Sequence, residues 1–134
     1  LLAFRVAKLR VALIHDNLAK AFPERTPDER AALAEQYRRN IADVAMEVLK
    51  GFAISPAALR ERVRLEGLEP VRARLDAGQP VMLVAAHHCN WEWMLLALSL
   101  DLGHPLHAIY KPMKNATAER AFHWLRTRCG GRLT

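Results

Sequence analysis

Residues 87–92 concentrate side chains that can carry acid–base chemistry. They read His-His-Cys-Asn-Trp-Glu, which supplies two imidazoles, a thiol, an amide and a carboxylate. An imidazole titrates near neutral pH, and a carboxylate on its other ring nitrogen fixes the tautomer and stabilises the imidazolium. On one continuous helix His87 and Glu92 would point to different faces, but a bend between a strand end and a helix start can bring them together. The pair is therefore suited to general-base chemistry.

Other interpretations of the same segment compete with this one. Asn90 can cap the following helix unaided, in which case these polar groups only end one element and begin the next. His88 and Glu92 have the spacing of metal ligands on a helix, but no third ligand at metal spacing joins them, which disfavours a zinc hydrolase. Cys89 at a helix N-terminus suggests a thiol nucleophile. We expect Trp91 to hold the turn against the core.

A strand and a helix are predicted to position this segment. Residues 81–86 are apolar without alternation and follow Pro80, which indicates a strand buried on both faces. Helices are predicted over residues 91–100 and 116–128, with a second strand over 106–110 between them and a third strand starting after Gly131. This alternation predicts an α/β fold with a parallel sheet and crossover helices. Ligands bind at the carboxyl ends of strands in such sheets, which is where residues 87–92 fall.

The upstream part of the chain is predicted to be mainly helical. Thr26, Pro27 and Glu29 form the start signal of a long helix over residues 27–50. Apolar residues at spacings of four or three are expected to line one buried face of it: Leu33, Tyr37, Ile41, Val44 and Val48. Shorter elements are expected further on: a helix from Ser55-Pro56, a strand over residues 62–66 and a helix over 70–77.

Composition favours one globular domain with an anionic partner. Of the 134 residues, 51% are hydrophobic and 25% are charged, and the formal net charge is +6. That charge attracts phosphates, nucleic acid or an anionic membrane surface, and nothing beyond it favours nucleic acid. Residues 1–21, with Leu2, Val6 and Leu9 between Arg5, Lys8 and Arg10, predict a basic amphipathic helix, which lies either against the core or at a membrane interface.

Cysteine content and hydropathy indicate the redox environment and whether a membrane-spanning helix is present. Cys89 and Cys129 do not form a disulfide framework or a C-x-x-C pair, which fits a reducing, cytosol-facing environment. No apolar stretch approaches the roughly 20 residues that a membrane-spanning helix needs.

Four blocks of the sequence resemble the motifs of one enzyme family. Residues 87–92 resemble the H-x-G-N-W-E block of the lipid A biosynthesis acyltransferases, a branch of the H-x4-D/E acyltransferase superfamily. Residues 17–24, NLAKAFPE, are similar to the family's N-L-x-x-x-F-P-E segment. Residues 110–115 look like its Y-R-P...N block, and residues 128–130 look like its later R-x-G. The four blocks follow the family's order and cover nearly the whole chain.

The resemblance implies acyl transfer from an acyl-carrier-protein thioester to a hydroxyl of a lipid A precursor, at the cytoplasmic face of a bacterial inner membrane. His87 would remove the hydroxyl proton and Glu92 would orient the imidazole. No metal or redox cofactor is implied. Acyl-carrier protein, the lipid A precursor and the anionic membrane surface would be partners, and nucleic acid would not. Substrate-binding residues are implied within the family blocks at Asn90, Lys111, Asn115 and Arg128, with Arg126 undecided.

The sequence departs from the family pattern at two positions. Cys89 stands where the family usually has glycine, and we expect this to alter packing at the turn only. Lys111 stands where the family usually has arginine, which replaces a forked guanidinium by a point charge and weakens bidentate phosphate binding. From the resemblance we expect the family's N-terminal membrane helix and C-terminal half to lie outside residues 1–134. We therefore expect an N-terminal part of one acyltransferase domain, inactive alone, with an unfinished sheet and exposed apolar surface on the helix over residues 30–50.

Two other functions remain open at this point. A glycerol-phosphate acyltransferase shares the H-x4-D/E motif. That branch looks like H-x4-D, with aspartate as the acidic residue, whereas this chain has Glu92 preceded by Trp91. A non-catalytic, basic membrane-surface module would use the net charge and residues 1–21, and it would make no use of His87 or Glu92.

Overall fold

The computed structural model describes residues 11–134. It is helix-rich with a two-stranded parallel sheet, and is thus broadly α/β. Its elements are α1 (Val11–Ala21), α2 (Pro27–Gly51), α3 (Pro56–Arg62), α4 (Glu69–Asp76), α5 (Trp91–Asp101), β1 (His107–Ala108), α6 (Ala116–Thr127) and β2 (Arg132–Leu133). The described residues divide into two compact units, 11–45 and Met46–Thr134. The helix predicted over residues 1–21 is seen from Val11 onward, and the predictions for residues 1–10 lie outside the described part.

The first unit contains α1 and the beginning of α2. The backbone N–H of Thr26 donates to the Glu29 carboxylate at 2.8 Å, and the Glu29 N–H donates to the Thr26 hydroxyl oxygen at 3.3 Å. This reciprocal capping box confirms the predicted start of the long helix. The hydrogen bond from the Thr26 backbone also lowers the pKa of Glu29.

The apolar face of α2 is less buried than its spacing predicted. Tyr37 is 49% exposed and Ile41 is 51% exposed, so the expected burial of these two positions is wrong. Within the part of the chain that the structure describes, α1 has 11 residues against 25 in α2 and leaves part of the apolar face uncovered. Met46 and Leu49 are also exposed, in agreement with the apolar surface expected along this helix.

The core of the second unit is built around α5. This helix is apolar on nearly all sides, which is typical of a buried helix, and its Leu96 and Ala97 are fully enclosed. α3 contributes Leu59 and α6 contributes Leu125 to the same cluster. The buried set consists of Ile54, Leu59, Trp93, Leu96, Ala97 and Leu125.

The sheet joins the two ends of a strand–helix–strand segment. β1 and β2 are parallel, with His107 opposite Arg132 and Ala108 opposite Leu133, and α6 lies between them in sequence. The Thr134 N–H donates to the Ala108 carbonyl at 3.0 Å. The strand predicted over 106–110 is thus present but shorter, and the strand expected after Gly131 is β2.

Two predicted strands are wrong. Residues 81–86 have no regular secondary structure, and Met82 and Val84 are 81% and 91% exposed. An apolar segment becomes a buried strand only where neighbouring strands pair with its backbone, and no strand in residues 11–134 does so. Residues 62–66 are not a strand because α3 continues to Arg62, and the Val63 N–H still bonds to the Leu59 carbonyl as the helix cap. None of the described helices is long and apolar enough to cross a membrane.

Candidate functional site

The turn before α5 is fixed by Asn90. Its side-chain oxygen accepts a hydrogen bond from the Trp93 backbone N–H at 3.1 Å, which caps the helix. Its side-chain nitrogen donates to the Glu47 carboxylate at 3.0 Å. Asn90 therefore attaches the turn both to the helix that follows it and to the end of α2.

Cys89 adopts a backbone conformation that favours glycine. Its φ is 50°, in the left-handed region, where a side chain costs roughly 1–2 kcal/mol. This explains why glycine suits that position of the H-x-G-N-W-E block. The expectation that cysteine here alters packing only is wrong, because the Cys89 side chain is exposed and the backbone carries the strain.

Glu92 is buried and bonded to Arg126. The carboxylate is 3% exposed and accepts three hydrogen bonds from the guanidinium: Nε to both oxygens at 3.1 and 2.9 Å, and Nη2 to Oε1 at 2.6 Å. A carboxylate in such a place requires a cation and well-directed donors, and the forked guanidinium supplies both. Arg126, whose role the sequence left undecided, is thus the partner of Glu92.

Aromatic rings surround the Arg126 guanidinium. Its central carbon lies 5.0 Å from the Trp91 ring centroid, 5.7 Å from that of Tyr110 and 5.4 Å from that of Phe122. These distances are in the range of favourable cation–π contacts. With its side chain only 11% exposed, Arg126 is held from several directions while it holds Glu92.

His87 lies on Trp91 and is exposed. The two ring centroids are 4.5 Å apart with a tilt of 50°. Among the described residues, Glu92 accepts side-chain hydrogen bonds from Arg126 and none from the His87 imidazole. The structure therefore connects the two predicted catalytic residues indirectly, through Trp91 and Arg126, and their roles stay a prediction. His88 is also exposed.

The predicted substrate-binding residues differ in their surroundings. Asn115 caps α6 by accepting the backbone N–H groups of its first turn at 3.0 and 2.9 Å. Arg128 donates to the carbonyls of Gly51 and Ile54 at 2.7 and 3.0 Å. Lys111 is exposed. Asn115 and Arg128, like Asn90, thus have structural contacts, and the binding roles of all four residues stay predictions.

A second polar cluster, which the sequence did not single out, involves Glu119. The Tyr110 hydroxyl donates to its carboxylate at 2.6 Å, and the Met113 backbone N–H donates at 2.7 Å. These bonds lower the pKa of Glu119, and the bond to Glu119 raises the pKa of Tyr110. They tie the segment after β1 to α6 and so place the Tyr110 ring beside Arg126.

Within residues 11–134, no three His, Cys, Asp or Glu side chains are grouped so that they could hold a metal ion. Cys129 is partly buried against the core, and burial raises the pKa of its thiol.

Comparison with known proteins identifies the family. A family model described as bacterial lipid A biosynthesis acyltransferase matches residues 1–134. No curated protein and no solved structure gives a significant match. The match of the family model covers every residue of the chain, including the four motif blocks. The chain therefore belongs to the bacterial lipid A biosynthesis acyltransferase family.

Proposed function

We propose that the protein transfers a fatty acyl chain from an acyl-carrier-protein thioester to a hydroxyl of a lipid A precursor, with His87 as general base. The observation that carries this proposal is the exposed His87 imidazole, whose ring centroid lies 4.5 Å from that of Trp91, the residue next to the buried Glu92 that pairs with Arg126. Family membership supports acyl transfer in lipid A biosynthesis as the general chemistry. We place the reaction at the cytoplasmic face of a bacterial inner membrane.

The proposed reaction is a single acyl exchange. The His87 imidazole takes the proton of the acceptor hydroxyl while the hydroxyl oxygen attacks the thioester carbonyl carbon. The carbon–sulfur bond then breaks, and the departing sulfur takes the proton from the imidazolium. An ester and a free carrier-protein thiol result. The backbone N–H groups that begin α5 are suited to stabilising the oxyanion of the tetrahedral intermediate.

Glu92 is proposed to orient His87 once substrates are bound. Its Oε2 accepts one hydrogen bond, from Arg126 Nε, and an ionised carboxylate oxygen has room for another. Catalytic hydrogen bonds often tighten only when substrate is present. We therefore propose that the turn at residues 87–90 closes on substrate binding and brings an imidazole N–H of His87 to Glu92.

We assign acceptor and donor binding to the surface around the site. Lys111 is exposed and is proposed to supply a point charge for a lipid phosphate or an acidic carrier protein. Binding roles are also proposed for Asn90, Asn115 and Arg128, as the family blocks imply. The net charge of +6 supports attraction to an anionic membrane. We also infer that β1 and β2 belong to a larger parallel sheet with crossover helices, as their parallel pairing on either side of α6 suggests.

A competition between two acceptors tests this function. The full-length protein is supplied with acyl-carrier-protein thioester and either a lipid A precursor or glycerol 3-phosphate, and ester formation is followed. We expect acyl transfer to the lipid A precursor and none to glycerol 3-phosphate. Equal use of both acceptors would support the glycerol-phosphate alternative, and no transfer to either would contradict the proposed reaction.

A further inference from the structure

We infer that Arg126 is the positioning residue of the His87–Glu92 pair, an inference that rests on the proposed function. Arg126 is in contact with both halves of the site. It donates three hydrogen bonds to Glu92, and its guanidinium lies 5.0 Å from the Trp91 ring on which His87 rests. The contact joins α6 to the start of α5, so Arg126 fixes one of the proposed catalytic residues directly and the other through an aromatic ring.

The hydrogen-bond geometry restricts the Glu92 carboxylate to one orientation. Two nitrogens of the guanidinium engage its two oxygens at 2.6 to 3.1 Å, which defines the plane as well as the position of the carboxylate. A carboxylate held in this way accepts hydrogen bonds and is therefore suited to receive an imidazole N–H. Lysine could supply the charge but not the paired donors.

The guanidinium is itself held by aromatic rings from three segments. Phe122 comes from the same helix, Trp91 from α5 and Tyr110 from the segment after β1. The Tyr110 hydroxyl is in turn bonded to Glu119 at 2.6 Å. A purely stabilising contact does not require this arrangement, because well-packed apolar side chains often replace buried ion pairs without loss of stability.

The inference is tested by kinetics of Arg126→Gln and Arg126→Lys in the full-length protein, with acyl-carrier-protein thioester and lipid A precursor. Arg60→Gln is the matched control, since Arg60 pairs with Asp101 at the surface and its side chain is 52% exposed. We expect Arg126→Gln to lower kcat by about 100-fold, the effect of a misplacement of about 1 Å, with KM little changed. Arg126→Lys should recover part of the loss, and Arg60→Gln should keep the wild-type kcat.

A second set of variants separates positioning from other roles. In a Glu92→Gln background, Arg126→Gln should lower kcat little further, because Arg126 acts through Glu92. The inference would be overturned if Arg126→Gln raised KM at unchanged kcat, or if folded Arg126→Gln kept the wild-type kcat. It would also be overturned if the losses of kcat in Glu92→Gln and Arg126→Gln were additive in the double variant. If Arg126→Gln does not fold, a wild-type kcat in Arg126→Lys overturns it. Full activity in His87→Ala would instead overturn the proposed function itself.

Discussion

Replacing Arg126 by methionine should destabilise the protein strongly, because it leaves the Glu92 carboxylate buried without a cation. With the two side chains only 11% and 3% exposed, solvent cannot compensate for the missing partner. Removing one member of a buried pair costs about 3–5 kcal/mol. The lost cation–π contacts add roughly 0.5–1 kcal/mol each, partly offset by the packing of the methionine. This is a large part of the roughly 5–15 kcal/mol that stabilises a typical domain.

The double variant Glu92→Met/Arg126→Met isolates the coupling between the two residues. Because both charges are removed together, the free energy of unfolding of the double variant should lie within about 2 kcal/mol of the wild-type value. This loss is far smaller than the sum of the losses in the two single variants. Urea unfolding followed by circular dichroism measures each free energy of unfolding. The surface pair Arg60 and Asp101 is the control, and its coupling should be far smaller than that of the buried pair because solvent screens it. If Arg126→Met lost less than about 1 kcal/mol of unfolding free energy, or if the two single losses added up in the double variant, the assignment of a buried ion pair would be refuted.

Three further predictions concern the surroundings of the site. Cys89→Gly should raise the free energy of unfolding by about 0.5–1 kcal/mol in a urea titration, because relief of the left-handed strain exceeds the entropic penalty of glycine, whereas Cys89→Ala should give no such gain. Gly131→Ala should lower the free energy of unfolding by about 1–3 kcal/mol, and the melting temperature with it, because its Cβ would lie 2.7 Å from the Ser99 hydroxyl oxygen and 3.0 Å from the Arg126 carbonyl oxygen; an unchanged melting temperature would contradict this packing. Tyr110→Phe should raise the pKa of Glu119 toward its ordinary 4.5 in an NMR titration. Since the folded pKa of Glu119 is lowered, its contribution to stability is complete above pH 4.5 and is lost as the pH falls through the folded value, and this acid-dependent part should shrink in the variant.

Local signals in the sequence predicted the helix boundaries well. Thr26 and Glu29 begin α2, and Ser55 caps α3, because each cap depends on residues only three positions apart. Asn90 was correctly considered as a cap of α5 for the same reason. The interactions that start a helix are contained in a few neighbouring residues, so sequence alone is sufficient to locate them.

Features that depend on distant partners could not be predicted in this way. Residues 81–86 have strand-like composition, but pairing requires a neighbouring strand, and the sequence does not show whether one is in reach. A buried Glu92 requires a cation, yet the chain has 20 lysines and arginines, and spacing does not select Arg126 among them. Glu119 was missed for the same reason, since its bond to Tyr110 depends on how α6 packs after β1.

The measurement that tests the central claim most directly is acyl transfer by His87→Ala, compared with His88→Ala as the matched control. Both histidines are exposed neighbours in the same turn, so a general effect on folding or charge should appear in both variants. The account predicts that kcat falls by about 10²- to 10⁴-fold in His87→Ala, the usual contribution of a general base, and stays near the wild-type value in His88→Ala. A wild-type kcat in His87→Ala, or equal losses in the two variants, would contradict the assignment of His87 as the base.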